Sequence, residues 1–229
     1  MAEAEYLHQV HGVALAPLSV FFGREELDLP IEWDLTPFPI PNQENGLPMP
    51  QWSDLSHWMK VAIAVLVGNE FDLLTFNIHL HPDLEREWVA AGVVRQKLAE
   101  RVRKETTREV GRGREFFFVI ESISKLTRLP TVLHIHGAVV ANEVQEEDGL
   151  EQALARAAGH GIKGSPKLPR AVHSEWFHTL SPAYPNYLFK FAKRFDPRLE
   201  ERRLVMSQPM TSAARDLWYD ITRPNLRPA

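Results

Sequence analysis

The chain has 229 residues, of which 44% are hydrophobic, so it is long enough for one domain with a real core, or for a domain plus an arm. It has no cysteine, which excludes disulfides and thiolate metal sites, and it has no signal-peptide pattern and no apolar run long enough to span a bilayer. The formal net charge is -4. Because neither a signal-peptide pattern nor a spanning run is found, we predict a cytoplasmic protein with no membrane partner.

The first fifty residues are rich in proline and acids. Residues 1–72 contain eleven Asp and Glu residues, against only Arg24 and Lys60 as cations. The prolines interrupt any long helix or strand, so we predict an N-terminal extension over residues 1–52, followed by a domain over 53–229. These prolines are Pro17, Pro30, Pro37, Pro39, Pro41, Pro48 and Pro50.

The first half of the domain reads as a helix, a strand and a long helix. Apolar residues at helical spacing predict a helix from Ser53 to Val67, and Phe71 to Leu80 predicts the first core strand. This strand runs into a His79-Leu80-His81 sequence, which we interpret as polarity at a strand edge or loop. Pro82 begins one long helix that ends at Gly111, with Gly92 in its buried stripe.

The second half contains the strongest strand patterns of the chain. Residues 114–121, with three consecutive phenylalanines, end in the carboxylate of Glu121, and residues 131–140 form a β-branched run that contains His134 and His136. A turn over 122–130 joins them. After an acidic loop we predict a helix at 150–158, a strand at 170–177, a helix that begins near Pro185, a strand at 203–207 and a helix at 212–221. This order indicates an antiparallel sheet with packed helices, the α+β class.

The two histidines on the second of these strands point to a metal site. Side chains two positions apart lie on the same face of a strand, so His134 and His136 project side by side from an apolar sheet. If the two strands form an antiparallel hairpin, Glu121 approaches them from the neighbouring strand. Two imidazoles and one carboxylate can bind a divalent cation and leave positions open for water or a substrate oxygen.

Three motifs together resemble the HUH endonucleases, in particular the replication-initiator (Rep) branch that starts rolling-circle replication. The His134-Ile-His136-Gly137 strand follows a Phe-Phe-Val-Ile-Glu121 strand, an upstream apolar strand contains Thr75, and Tyr187-Leu-Phe-Lys190 fits the Tyr-x-x-Lys pattern. They occur in the family's order, over roughly residues 55–220. The resemblance implies a sheet of the ferredoxin-like or RNA-recognition-like type, with the histidines on a central strand.

The resemblance also implies a chemistry. Tyr187 is the expected nucleophile, Lys190 its catalytic partner, and Glu121, His134 and His136 the ligands of Mg²⁺ or Mn²⁺. The implied reaction nicks single-stranded or hairpin origin DNA through a 5'-phosphotyrosine and leaves a free 3'-hydroxyl that primes synthesis. Phe191 stands where some Rep proteins carry a second tyrosine, so we predict a single-tyrosine enzyme, with Tyr184 at the helix boundary as the other candidate.

A basic region surrounds the candidate tyrosine. Residues 160–194 contain six Lys and Arg residues against one acid, Glu175. We therefore predict DNA contacts there and at Thr75. The predicted contact residues are Thr75, Lys163, Lys167, Lys193 and Arg194. The chain has no helicase-type phosphate loop, because Gly111-Arg-Gly113 lacks the required lysine and spacing, so unwinding is assigned to a host helicase.

Other readings remain open at this stage. A plasmid or phage initiator, a relaxase and a transposase share this chemistry, and a non-catalytic Rep-derived module would bind DNA without cutting it. A metalloenzyme of the cupin kind also uses His-x-His and Glu. However, Glu143 lies too far after His136 for the cupin pattern, and two long helical segments do not suit a β-barrel.

Overall fold

The computed structural model describes residues 51–111, 113–124, 129–141, 146–161, 171–178, 180, 184–190, 195–200 and 202–222. The predicted N-terminal extension lies almost wholly outside these ranges, so its boundary at residue 52 stays a prediction. No helix of the described residues is both long enough and apolar enough to cross a membrane.

Five strands of the described chain form one antiparallel sheet. They are β1 (Asp72–His79), β2 (Phe116–Ile123), β3 (Pro130–Ala141), β4 (Val172–Phe177) and β5 (Leu204–Met206). Their order across the sheet is β4-β1-β3-β2-β5, which places the histidine strand β3 at the centre. The first four strands have the ferredoxin-like order, and β5 extends the sheet beside β2. The predicted α+β class and the central position of the histidine strand are confirmed.

Six α-helices in the described chain pack on the two faces of the sheet. They are α1 (His57–Gly68), α2 (Pro82–Ala91), α3 (Val94–Val110), α4 (Glu147–Ala157), α5 (Tyr184–Phe189) and α6 (Gln208–Thr222). Helices α1, α5 and α6 cover part of the face that carries Phe117, Ala138 and Val140, which we call the front face. Helices α2, α3 and α4 cover the back face, which carries Phe118 and Ile135.

The single long helix predicted from Pro82 to Gly111 is wrong. Gly92 has a φ of 65° and ends α2 in a left-handed cap, its amide bonded to the carbonyl groups of Trp88 and Val89. Glycine adopts this conformation without the steric cost that a Cβ adds, so the chain turns there and α3 begins two residues later. Gly92 is therefore exposed and is not part of a buried stripe.

Several predicted helix boundaries also shift. Helix α1 takes Ser56 as its N-cap, the hydroxyl accepting a hydrogen bond from the amide of Met59, whereas the helix was predicted to begin at Ser53. Residues 52–54 form a separate 3-10 turn. Helix α4 begins three residues earlier than predicted and α6 four residues earlier, because the acids Glu147 and Asp148 and the proline Pro209 suit the first turn of a helix although they are not part of the apolar pattern.

Gly137 is where β2 and β3 approach most closely. A Cβ atom built on Gly137 would lie 2.2 Å from the carbonyl oxygen of Phe117 and 2.5 Å from the Cβ of Phe118. Both atoms belong to the neighbouring strand at its fully buried centre, so the contact cannot be relieved by rotating a flexible side chain.

We predict that Gly137→Ala lowers the free energy of unfolding by about 3 kcal/mol, since overpacking at this place has to displace the backbone of β2. Chemical denaturation at constant pH measures the change. The matched control is Gly113→Ala, because a Cβ at Gly113 meets nothing within 4 Å. Equal stability of the two variants would contradict the prediction.

The segment over residues 195–200 is fastened to the start of β3 by an ion-pair cluster. The Arg198 guanidinium donates to the carboxylates of Asp196 at 2.8 Å and Glu85 at 2.7 Å, and to the carbonyl oxygen of Thr131 at 2.9 Å. Burial of Asp196 opposes its ionisation, but the hydrogen bonds from Arg198 outweigh this and lower the pKa of Asp196 to about 2.

Because this pKa is lower in the folded than in the unfolded protein, the stabilisation from Asp196 is present above pH 4 to 5 and is lost as the pH falls toward 2. We predict that Asp196→Asn costs about 2 kcal/mol of unfolding free energy at pH 7, and that this difference from the wild type shrinks between about pH 4 and pH 2. Denaturation at a series of pH values measures it. Glu87→Gln, an exposed carboxylate on α2, is the control. A difference that does not change with pH would refute this account of Asp196.

Candidate metal centre

The pairing of β2 with β3 brings the three predicted ligands together. His134 and His136 alternate with Ile135 along β3, so both imidazoles lie on the front face of the sheet. In the β2–β3 register Glu121 stands directly opposite His134, and Val119 stands opposite His136. The carboxylate and the two imidazoles therefore converge from adjacent strands on the front face, next to α5.

The separations within this Glu121–His134–His136 group suit one shared cation. Oε2 of Glu121 lies 3.5 Å from Nε2 of His136 and 3.7 Å from Nε2 of His134. Two donors on one cation lie roughly 3.0–3.5 Å apart when metal–ligand bonds of about 2.1 Å meet at 90–110°. One ligand atom from each residue lies within 4.8 Å of the other two, and the group could hold a metal ion.

The carboxylate of Glu121 is the most informative atom group of the site. It is completely buried, and neither of its oxygens has a hydrogen-bond partner among the described residues. A buried carboxylate without hydrogen bonds is costly unless a cation compensates its charge. The donor set and this unsatisfied carboxylate therefore fit a divalent cation bound between Glu121 and the two imidazoles.

The two histidines have their ring nitrogens arranged for metal binding. Nδ1 of His134 lies 3.0 Å from the carbonyl oxygen of Val132, which can only accept, so Nδ1 carries the proton and Nε2 presents its lone pair toward Glu121. Burial, and then the positive charge of Lys190, lower the pKa of His136 well below its ordinary range. A neutral imidazole is the form that binds metals. His134 and His136 are 6% and 4% exposed, so both rings sit just below the surface.

Helix α5 places a tyrosine hydroxyl next to this group. The Tyr187 hydroxyl lies 3.3 Å from Nδ1 of His136, and the two rings meet edge to face with centroids 5.3 Å apart. Tyr187 remains 40% exposed, which is unusual for so large a side chain beside a buried cluster. Burial, followed by the negative charge of Glu121, raises the pKa of Tyr187. Tyr187 is thus in contact with the group through its hydroxyl and partly exposed to solvent as a residue.

Lys190 completes the cluster from the turn that follows α5. Its ammonium nitrogen lies 3.8 Å from Oε2 of Glu121 and 3.7 Å from the centroid of the Tyr187 ring. In the predicted Tyr-x-x-Lys motif the two side chains were expected to face the same way, and both do lie beside Glu121. The positive charge of Lys190 therefore stands next to the carboxylate and the phenol at once.

Tyr184, the alternative nucleophile, has a structural position. Its hydroxyl donates a 2.7 Å hydrogen bond to the carbonyl oxygen of Gly137, and its ring stacks on Tyr187 with centroids 6.0 Å apart. Burial raises the pKa of Tyr184 far above its ordinary value. This tyrosine fixes α5 to the histidine strand and so helps to position Tyr187.

His79 lies beside the group. As predicted, it stands at the end of a strand: it is the last residue of β1, pairs with His134 in the β1–β3 register, and places its ring 5.3 Å from the His134 ring. Asn77 likewise stands opposite His136. Only the register between β1 and β3 reveals these neighbours. His81 has another role, because Nδ1 of its ring accepts a hydrogen bond from the Asp83 amide at the start of α2.

Of the predicted DNA contacts, only Thr75 is among the residues that the structure describes. Thr75 lies on β1 on the same face as Asn77, and its hydroxyl donates to the carbonyl oxygen of Glu175 on β4. The predicted contacts Lys163, Lys167, Lys193 and Arg194 lie outside the described residues.

Comparison of the chain with protein-family models, with curated proteins and with solved structures gives no match. The chemistry of the site is therefore inferred from the positions and contacts of its own side chains.

Proposed function

We propose that this protein is a metal-dependent endonuclease and strand transferase for single-stranded DNA, of the HUH Rep kind that initiates rolling-circle replication. The observation that carries the proposal is the contact between the Tyr187 hydroxyl and His136, at the edge of the buried Glu121–His134–His136 group, whose carboxylate has no hydrogen bond among the described residues. A partly exposed phenol next to a cation site is the arrangement that phosphoryl transfer to tyrosine requires.

Each side chain has a defined task in this reaction. Glu121, His134 and His136 hold Mg²⁺ or Mn²⁺, which when bound would neutralise the charge of the scissile phosphate and polarise its oxygens. Tyr187 gives its phenolic proton to solvent, and its oxygen forms a bond to phosphorus while the bond from phosphorus to the 3' oxygen breaks. That 3' oxygen takes up a proton from solvent and becomes the free hydroxyl. Lys190 holds a positive charge over the Tyr187 ring and beside Glu121.

The reaction conserves the energy of the phosphodiester, because a phosphotyrosine ester replaces it. The nicked strand can therefore be rejoined when a 3'-hydroxyl attacks the ester. Tyr187 needs direct access to the scissile phosphate. The substrate is therefore single-stranded or hairpin origin DNA, which a separate helicase opens.

The test is the formation of a covalent adduct. The full chain is incubated with single-stranded and hairpin oligonucleotides from its own replicon, with Mn²⁺, with Mg²⁺ or with EDTA, and analysed on a denaturing gel. We expect a slower species that survives denaturation, carries the 5' end of the cleaved product and is absent in EDTA. If no oligonucleotide and no metal yields it, the endonuclease proposal fails.

A further inference from the structure

A cavity of about 190 Å³ lies on the back face of the sheet, near the edge formed by β2 and β5. Its floor includes Ile120, whose side chain points to the opposite face from Glu121 because the two are neighbours on a strand. The start of α3 at Val94 forms one wall, and the residues 197–200, 202 and 203 form the other. The cavity is therefore separated from the metal centre by the thickness of the sheet.

Cations line most of the polar part of this cavity. Arg95, Arg198, Arg202 and Arg203 face it, and Glu200 is the one carboxylate among the described residues that line it. Arg198 is engaged by Asp196 and Glu85. By contrast, neither Arg95 nor Arg202 forms an ion pair with a carboxylate of the described residues, although the Arg95 Nε donates to the carbonyl oxygen of Leu204 at 3.2 Å.

The positively charged side chains of the cavity repel one another. Burial, and then repulsion from Arg202, lower the pKa of Arg95, while Glu200 opposes the shift. An anion placed among these groups would relieve both the desolvation and the repulsion, so the cavity favours a negatively charged ligand.

We propose that the cavity rimmed by Arg95, Arg202 and Arg203 binds a phosphate group. Arginine has the planar fork of donors that matches phosphate oxygens, and the cavity is large enough for one such group. The first turn of the 17-residue helix α3 starts there behind Val93, which has no side-chain oxygen to cap it, and the positive end of the helix dipole adds to the attraction. The phosphate belongs either to a DNA strand or to a free phosphate compound.

The test uses the full chain in EDTA, so that neither the metal centre nor Tyr187 chemistry contributes. Inorganic phosphate is titrated in a chloride buffer by calorimetry, and a labelled single-stranded oligonucleotide is titrated by fluorescence anisotropy. The variants are Arg95→Gln and Arg202→Gln. The matched control is Arg108→Gln, an exposed arginine at the other end of α3, and circular dichroism checks that every variant is folded.

We expect saturable phosphate binding that each cavity variant weakens roughly tenfold and the control leaves unchanged. If Arg202→Gln also weakens oligonucleotide binding and flattens its salt dependence, the phosphate is that of a DNA strand. If oligonucleotide binding does not change, the ligand is a free phosphate. The absence of saturable phosphate binding to the wild type, or an equal loss in Arg108→Gln, would overturn the proposal. Because cleavage plays no part in these measurements, their outcome is independent of whether the DNA-nicking proposal holds.

Discussion

Tyr187→Phe is expected to form no covalent adduct with single-stranded DNA, a loss of at least about a thousandfold in strand cleavage. The substitution removes one oxygen atom and leaves the ring, which packs edge to face against His136 and under the Lys190 ammonium. The fold and the metal site should therefore persist, because the ring contacts are preserved. Adduct formation on a denaturing gel, with metal binding measured in parallel, separates loss of the nucleophile from loss of the site.

Tyr184→Phe is the matched control for this experiment. It removes a hydroxyl from the same helix, one that already donates to the carbonyl oxygen of Gly137 and lies in a partly buried position. We expect this variant to lose about 1 kcal/mol of stability and to retain the adduct. The opposite pattern, in which Tyr187→Phe still forms the adduct and Tyr184→Phe does not, would transfer the nucleophile to Tyr184.

Glu121→Gln is expected to lower the affinity for Mn²⁺ by at least about a hundredfold. A carboxylate supplies charge and an oxygen ligand together, whereas the amide supplies neither at comparable strength. In the wild type, a free cation concentration of about 100 times its Kd should stabilise the fold by about 2.7 kcal/mol, because the cation binds only the folded chain. Glu121→Gln should show almost none of this stabilisation. Calorimetric titration and thermal unfolding with and without Mn²⁺ measure the two effects.

The same substitution has an opposite effect on the metal-free protein. Glu121 is a completely buried carboxylate without a hydrogen bond among the described residues. Its ion-pair partner Lys190 is 3.8 Å away and 18% exposed, so water can still solvate the ammonium when the carboxylate is neutralised and a buried charge is removed. In EDTA we expect Glu121→Gln to be at least as stable as the wild type. The control is Glu175→Gln. Glu175 is an exposed carboxylate on β4, on the same face of the sheet as Glu121, and this variant should retain the Mn²⁺ response. A large loss of stability in EDTA would mean that Glu121 is a structural residue and not a ligand held for a cation.

The sequence by itself determined the α+β class, the central histidine strand and the residues that could meet there. Alternation along a strand is a local property, so it placed His134 and His136 on one face whatever the rest of the chain does. The aromatic strand that ends in Glu121 was also recognisable, because three phenylalanines in a row have few places outside a buried strand. These local patterns were sufficient to name the three candidate ligands.

Only the tertiary structure decided which groups share the site with them. The register between strands depends on contacts across the whole sheet, and it brought His79 beside His134 and Asn77 beside His136. The packing of α5 decided that the Tyr187 hydroxyl contacts His136 while the Tyr184 hydroxyl is used on a backbone carbonyl. The arginine cavity combines residues up to about a hundred positions apart in the chain. No local pattern carries such distances, because they follow from how the core closes.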